Sequence, residues 1–292
     1  MTVRRAAFVL CLLVVLVPLS GCIVLEDVAD DRSSTAGPGS ESESDAPRDQ
    51  SSDPAAVFEG AFVHPENLDN VRGERTTTVT IGEPGDAETR TERVAVVERP
   101  YVEYRSEVLE SSAPDRVGDV YVSNASVSWW YDPDGPSASY FPVEEPFDDE
   151  AVRADRAAQA DRQSDRYDLE YLGTETVADR EAHVLAVEAK NETVAEGISL
   201  LVGDTEFVYA LETIDPTEEL VADEQRLWID AEYEYPLKEE LVVSAESGDS
   251  EADRYVMTER FETVTFNDGT VSDDTFAFDP PENATVTDLT EE

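Results

Sequence analysis

The segment SVSWWYDPDGPSASYFPV, residues 126–143, has the composition of a β-hairpin. Two aromatic-containing strands flank the sequence DPDG at positions 132–135. Asp stabilises turns by accepting hydrogen bonds from the nearby backbone, and Gly adopts positive φ at no steric cost. Calcium binding by Asp132 and Asp134 is the functional alternative, but an EF-hand loop needs Glu at its twelfth position, where this chain has Val143. The segment therefore predicts a turn between two antiparallel strands.

Runs with a two-residue period continue on both sides of the hairpin. Tyr167, Leu169 and Tyr171 alternate with acidic residues, which indicates a strand with one buried face and one solvated face. Segments rich in Gly and Pro separate such runs and mark turns. Besides the hairpin, strands are predicted within residues 75–81, 89–97, 101–110, 118–124, 167–177, 180–189, 225–246 and 253–267.

Two helices are predicted among these strands. Residues 149–165 are rich in Ala, Arg, Gln and Asp and begin with acidic residues, which favour a helix N-terminus. Residues 55–68 place Val57, Ala61 and Phe62 on one side before a His-Pro pair ends the helix. About ten or eleven strands, with the helices on one side, predict an α+β fold that is mostly β and is built on a curved antiparallel sheet.

The first 21 residues have the features of a signal peptide. Two arginines precede an apolar run, residues 6–19, which is shorter than the about 20 residues that a membrane span needs. Residues 19–22, Leu-Ser-Gly-Cys, resemble the lipobox of lipoprotein signal peptides, in which cleavage precedes the Cys and its sulfur carries a lipid. We therefore expect a lipoprotein signal peptide over residues 1–21, and a lipid on Cys22 that anchors the chain to the extracytoplasmic face of the cell membrane. A retained single-span anchor is the alternative, and the export route, general or twin-arginine, is left open.

The chain carries 68 acidic and 21 basic residues, which gives a net charge of −47. Nucleic acid is excluded as a partner because phosphate binding needs a basic surface. Scarce Lys and abundant Asp and Glu resemble the composition of proteins from salt-loving archaea, where molar salt shortens the screening length to about 3 Å. Residues 22–54 are mainly Ser, Asp, Glu, Gly and Pro and cannot bury enough apolar surface to offset the entropy of ordering. They predict a disordered acidic tether before one domain over residues 55–288.

Five segments in this domain resemble, in order, the LolA-like superfamily, which includes outer-membrane lipoprotein carriers, lipid-binding envelope lipoproteins and a periplasmic sigma-factor regulator. The resemblance implies an open half-barrel with helices covering its concave face and a hydrophobic cavity able to take acyl chains. Residues 190–225 look like an insertion in this pattern, either a hairpin turning at Gly203-Asp204 or a lid over the cavity. The five segments are VRGERTTTVT, VSNASVSWWYDPD, YLGTETVADREAHVLAVEA, LWIDAEYEYPLKEEL and FETVTFNDGTVSDDTFAFDPPENATV.

Alternation along the strands suggests which residues line such a cavity. In the hairpin, Val127, Trp129 and Tyr131 share one face and Trp130 points to the other. A packed core demands the same residue types as a cavity, so ordinary core packing is the alternative for each candidate. The predicted lining consists of Tyr104, Val122, Val127, Trp129, Tyr131, Leu169, Tyr171, Leu185 and Leu237.

The sequence gives little support for catalysis, metal binding or a cofactor. His64 and His183 are the only histidines and fall in separate predicted elements, and Cys22 is the only cysteine of the mature chain. We therefore expect no catalytic residue, no metal site and no cofactor. Three Asn-X-Ser/Thr sequences are possible N-glycosylation sites in an exported protein, at Asn124, Asn191 and Asn283.

Two functions fit these observations. The first is a membrane-anchored, monomeric, non-enzymatic lipoprotein that binds a lipid, or a lipidated protein, in the concavity of a half-barrel and acts as a local carrier or chaperone. The second is a sensory, regulatory or protein-interaction domain in which the protein's own side chains fill the same concavity.

Overall fold

The computed structural model describes residues 53–82, 87–190, 220–245 and 254–290. The predicted signal peptide, Cys22, most of the tether and residues 191–219 of the predicted insertion lie outside these ranges. The described residues form two α-helices, α1 (Pro54–Gly60) and α2 (Asp149–Ser164). Twelve strands accompany them: β1 (Val71–Ile81), β2 (Glu88–Arg99), β3 (Glu103–Ser111), β4 (Val120–Ser123), β5 (Val127–Asp132), β6 (Ser137–Pro142), β7 (Tyr167–Val177), β8 (Arg180–Ala189), β9 (Leu220–Asp230), β10 (Pro236–Ala245), β11 (Arg254–Phe266) and β12 (Thr285–Asp288).

All twelve strands belong to one open sheet, in the order β12-β6-β5-β4-β3-β2-β1-β11-β10-β9-β8-β7. Every neighbouring pair is antiparallel except β12 and β6, which are parallel. The sheet is strongly curved, since β7 approaches β11 although three strands separate them in the sheet. The predicted fold class, a mostly β protein with a curved antiparallel sheet and few helices, is confirmed.

The strand count is higher than predicted because of the C-terminus. Strand β12 has only four residues and follows the sequence DPPENA, so it has neither the length nor the flanking pattern that predicts a strand. It pairs with β6 at the edge of the sheet, from Thr285 opposite Ser137 to Asp288 opposite Tyr140.

The predicted turn between β5 and β6 is confirmed. The Oδ1 atom of Asp132 accepts hydrogen bonds from the backbone N–H groups of Asp134 and Gly135, at 2.8 and 3.2 Å. This carboxylate therefore stabilises the turn, as the composition of the segment predicted.

The two helices differ in how well the sequence predicted their ends. Helix α2 begins after Asp148, whose carboxylate accepts a hydrogen bond from the N–H of Ala151, and it ends within one residue of its predicted end. Helix α1 was predicted over residues 55–68 but spans only seven residues. The prediction was wrong because the helix ends at Gly60, a residue of low helix propensity, before the His-Pro pair.

Both helices pack on the same face of the sheet, mainly against β7 and β8. We call this face the helical face and the opposite one the outer face. Phe58 of α1 and Ala160 of α2 are buried there over Leu185 of β8 and Leu227 of β9. The full cluster comprises Val57, Phe58, Ala61, Phe62, Ala160, Tyr167, Leu185, Val187, Leu227 and Ile229.

The chain after β11 covers part of the outer face. The ring of Phe278 lies 5.7 Å from that of Trp129 and 5.6 Å from that of Tyr131. The side-chain amide of Asn124 donates a hydrogen bond to the backbone oxygen of Phe276 at 3.0 Å and so ties this segment to the β4–β5 turn. The C-terminal residues thereby cover part of the outer face at β5.

The turn between β7 and β8 offers a stabilising substitution. Its central residues, Ala178 and Asp179, have φ values of +49° and +62°, a region that Gly adopts without the steric penalty of a Cβ. We expect Asp179→Gly to stabilise the protein by about 0.5–1 kcal/mol, measured as a higher Tm in molar salt. The control Asp134→Gly, in a turn where φ is not positive, should leave the Tm unchanged or lower it. Equal Tm values for both variants would contradict the expectation.

Candidate functional site

The nine residues predicted to line a cavity lie on both faces of the sheet. Directly opposed residues on neighbouring strands point to the same face. Tyr104 lies opposite Ser123, whereas Val122 lies opposite Arg105, so Tyr104 and Val122 point to opposite faces. The structure therefore does not bring all nine candidates together.

Four candidates share the outer face, namely Val122, Val127, Trp129 and Tyr131. Val122 is buried, and the two aromatic rings contact Phe278 of the C-terminal segment. Trp129 also stacks on Tyr140 of β6 with ring centroids 4.8 Å apart. The protein's own side chains thus contact this group.

Three other candidates belong to the cluster under the helices. Leu185 is fully buried, and Leu169 and Tyr171 pack against the same cluster. The hydroxyl of Tyr171 lies 3.1 Å from Nδ1 of His183, which gives this histidine a hydrogen-bond partner within the sheet. Leu237 lies in a second cluster, with Val71, Trp228, Tyr235 and Phe261 among its members.

A row of buried polar side chains crosses the helical face, and the sequence analysis did not predict it. We call it the polar row, and it consists of Gln225 on β9, Glu239 on β10, Glu259 on β11, Arg75 on β1 and Tyr104 on β3. Each residue in the row is between 4% and 7% exposed. Glu239 lies opposite Leu227 and so shares the face that carries the helices.

Hydrogen bonds and an ion pair connect the polar row. Gln225 Nε2 donates to Glu239 Oε1 at 2.6 Å, and Glu239 lies directly opposite Glu259. Arg75 Nη1 lies 3.4 Å from Glu259 Oε1, and Arg75 Nη2 donates to the hydroxyl of Tyr104 at 3.1 Å. In this buried site, Glu259 thus pairs with the guanidinium of Arg75, and Glu239 with the amide of Gln225.

Burial raises the pKa of both glutamates, because a charged carboxylate loses its hydration there. The pKa of Glu239 rises from 4.5 to about 8 mainly because of burial; the hydrogen bond from Gln225 opposes the rise, and the charge of the nearby Glu259 adds to it. The pKa of Glu259 also rises, by burial, although Arg75 and the hydroxyl of Thr77 favour its charged form. Glu239 therefore holds its proton near neutral pH and gives the polar row its charge balance.

A second polar group lies beside the row. Tyr235 donates a hydrogen bond to Glu98 Oε2 at 2.7 Å, and its ring lies 5.1 Å from that of His64. Burial lowers the pKa of His64 to about 4, and the charge of Arg156 contributes to this shift. His64 is therefore neutral at pH 7 and packs as an aromatic residue between Tyr101 and Tyr235.

The helical face of β3 to β6 carries a different surface, formed by aromatic and serine side chains. The rings of Tyr121 and Trp130 lie 5.3 Å apart and are half-buried, whereas Phe141 is 39% exposed. Each ring lies opposite a serine: Tyr121 opposite Ser106, Trp130 opposite Ser139 and Phe141 opposite Ser128. We call this surface the serine–aromatic patch and define it as Ser106, Tyr121, Ser123, Ser128, Trp130, Ser139 and Phe141.

The alternation of the strands held a signal for both features. Glu239 is in phase with Leu237 and Leu241, and Glu259 is in phase with Met257 and Phe261, so both acids follow the buried positions. A charge in phase with buried apolar residues is the pattern that would have predicted the polar row. Trp130 was assigned to the face opposite Trp129, as the register confirms, but was not considered as a binding residue.

The structure also bears on metal binding, membrane spanning and glycosylation. Within the four described ranges, no group of His, Cys, Asp and Glu has a geometry that could hold a metal ion. No helix in those ranges is long and apolar enough to cross a bilayer. Of the three possible glycosylation sites, Asn124 is engaged in backbone hydrogen bonds, Asn283 is exposed and Asn191 lies outside the described residues.

No protein-family model matches this sequence, and no curated protein matches it. Similar solved structures include a chain of the Pseudomonas aeruginosa MucA/MucB complex, at 16% identity over 78% of this chain and 61% of that one, with a TM-score of 0.39. A LolA superfamily protein from Nitrosomonas europaea is 13% identical over 77% of this chain and 97% of that one, with a TM-score of 0.33. The lipoprotein LppX of Mycobacterium tuberculosis is 12% identical over 76% of this chain and 99% of that one, with a TM-score of 0.34. The fold assignment rests on the sheet order, register and helix packing of this chain itself.

Proposed function

We propose that this protein is a non-enzymatic lipoprotein of the extracytoplasmic membrane surface that binds an amphiphilic ligand, such as a lipid, on the helical face of its sheet. The single observation that carries this proposal is the serine–aromatic patch. Half-buried and exposed rings lie there on a face that α1 and α2 cover mainly at β7 and β8. Tethering by Cys22 would restrict the protein to exchange or chaperoning close to the membrane.

The patch lies on the same face of the sheet as the polar row and the apolar cluster under the helices. Tyr104 connects the patch to the polar row, because its ring lies 5.8 Å from that of Tyr121 and its hydroxyl accepts a hydrogen bond from Arg75. Beyond the row, the apolar cluster under the helices begins at Leu227. An amphiphile on the patch would thus lie at the open end of a face whose other end is apolar.

A second function, a regulatory or protein-interaction domain with a filled concavity, is favoured by a different observation. The polar row and the cluster around Leu185 place the protein's own buried side chains on the helical face. If these side chains leave no room for a ligand, the patch would serve as a contact surface for a membrane partner.

Mass spectrometry of the natively purified protein distinguishes the two functions. The protein would be isolated in molar salt without detergent, and its organic extract would be analysed for lipids. The proposal predicts a lipid class at near-stoichiometric amounts, which Trp130→Ala reduces and the outer-face control Trp129→Ala retains. A protein free of lipid that instead co-purifies with one membrane protein would overturn the carrier function and support the second function.

The anchor is tested separately, by Cys22→Ser. This substitution removes the sulfur that the lipid would modify, and we expect the protein to move from the membrane fraction to the medium. Immunoblots of both fractions measure the change, with Cys11→Ser as the control, since Cys11 lies within the predicted signal peptide. Continued membrane retention of the Cys22→Ser protein would count against lipid anchoring.

A further inference from the structure

The serine–aromatic patch is free of charge in a highly charged protein. None of its seven residues is ionisable at neutral pH, although 30% of the residues of the chain are charged and the net charge is −47. Neither an anionic nor a cationic ligand group would find a partner of opposite charge among these seven residues. The carboxylate that follows Trp130 on this face, that of Asp132, accepts hydrogen bonds within the β5–β6 turn. The electrostatics of this surface therefore favour an uncharged ligand group.

The chemistry of the patch also differs from that of an acyl-chain site. Four of its residues are serines, and it contains no aliphatic side chain. A hydrocarbon chain laid across the patch would bury serine hydroxyls without offering them a hydrogen bond, which costs free energy. A ligand group with its own hydroxyls would satisfy them, because each serine hydroxyl both donates and accepts.

The geometry suits a ring rather than a chain. Each large ring stands beside a small serine on the neighbouring strand. Ser139, the residue opposite Trp130, projects less far from the sheet than the indole, and we call its place the low position. The rings are held in place, since Tyr121 lies between Tyr104 and Trp130 and donates a hydrogen bond to Ser128 Oγ at 3.5 Å. Little side-chain freedom would then be lost on binding, which favours affinity.

From these three observations, we propose that the serine–aromatic patch binds an uncharged, hydroxyl-bearing ring, of the kind found in a glycosyl headgroup, stacked on Trp130. This inference rests on the proposed function and specifies its ligand class, an uncharged glycolipid-like amphiphile. The ring lies on the indole, and its hydroxyls bond to Ser128 and Ser139.

Binding of two short amphiphiles tests the inference. Octyl glucoside and octyl tetraethylene glycol ether have the same chain and are both uncharged, but only the first has a glycosyl ring. Titration calorimetry in molar salt, below the critical micelle concentration of each compound, should show at least tenfold tighter binding of octyl glucoside. Equal affinity for both would overturn the glycosyl inference and leave amphiphile binding intact, whereas binding of neither would overturn both.

Three variants locate the binding site. Trp130→Ala should abolish the preference for octyl glucoside, and Trp129→Ala, at the adjacent position on the outer face, should preserve it. Ser139→Leu keeps every ring and fills the low position beside Trp130, so its loss of the preference would not depend on a damaged core. Circular dichroism would establish that each variant is folded. A preference that survives Trp130→Ala and Ser139→Leu, or one that Trp129→Ala abolishes equally, would overturn the assignment of the site.

Discussion

Asp230→Ala is expected to destabilise the fold by about 3–5 kcal/mol, the range found when one partner of a buried ion pair is removed. Asp230 is fully buried, and its two oxygens accept hydrogen bonds from Arg180 Nε at 2.8 Å and Arg180 Nη2 at 2.9 Å. Oδ1 also accepts from the backbone N–H groups of Glu232 and Tyr233, at 3.0 and 2.8 Å. Alanine would leave these donors without their acceptor at the turn that joins β9 to β10.

The consequences would extend to the neighbouring aromatic residues. The guanidinium of Arg180 lies 5.5 Å from the ring centre of Tyr233 and 5.0 Å from that of Phe266, so Asp230 holds a cation that also packs on two rings. Urea unfolding in molar salt measures the effect. Glu232→Ala is the matched control, because Glu232 also pairs with Arg180, at 2.9 Å, but is 62% exposed and should contribute less than about 1 kcal/mol. Equal losses for the two variants would contradict the role assigned to Asp230.

The second large effect is the pH dependence that Glu239 imposes on stability. The pKa of Glu239 is about 8 in the folded protein, above the 4.5 of an unfolded chain, because the carboxyl is buried beside Glu259. Below pH 4.5 the carboxyl is protonated in both the folded and the unfolded state, so the raised pKa does not lower the stability there. As the pH rises from 4.5 to 8, the unfolded chain releases this proton while the folded protein keeps it, so stability is lost, by up to about 5 kcal/mol.

Glu239→Gln should remove this loss while keeping a hydrogen-bonding group beside Gln225. We expect the variant to match the wild type near pH 4.5 and to be more stable by several kcal/mol at about pH 9, measured by urea unfolding in molar salt. Glu240→Gln is the control, since the adjacent residue points to the other face and is half-buried beside Lys238. Parallel stability curves for Glu239→Gln and the wild type across this pH range would show that Glu239 is not the titrating group.

Most strands were predictable from the sequence because their side chains alternate strongly. Strand β7, with Tyr167, Leu169 and Tyr171 more buried than the acids between them, has the predicted bounds, and so does β8. Strand β12 was missed because its position depends on pairing with β6, which lies more than 140 residues earlier, and a four-residue segment carries no such information. Helix α1 ends early, at Gly60, because glycine weakens a helix, although Phe62 would lie on the same side as Phe58 in a continued helix.

The functional surface was less predictable than the fold. Side-chain alternation assigned Trp129 and Trp130 to opposite faces, but it does not tell which face the C-terminal segment covers. The contacts of Phe278 with Trp129 and Tyr131 show that it covers the outer face. The polar row was missed because Glu239 and Glu259 are two among 68 acidic residues. Their burial depends on the pairing of four strands, β9, β10, β11 and β1. No local sequence pattern specifies that pairing.

Together, the polar row and the serine–aromatic patch divide the helical face into parts with different roles. The row stabilises the middle of the sheet, where Arg75 forms an ion pair with Glu259 and donates a hydrogen bond to Tyr104. The patch lies on the side of the row away from the helices and is the uncharged aromatic surface on which the proposed ligand would rest. Binding and stability are thus expected to respond to different substitutions, Trp130→Ala affecting the first and Asp230→Ala the second.

An experimental structure of the protein purified natively in molar salt tests the central claim most directly. We predict ligand density on the helical face, in contact with the indole of Trp130 and the ring of Tyr121. The contradicting result would be a patch closed over by the protein's own side chains, with no space for any foreign molecule between Trp130 and the chain that covers it.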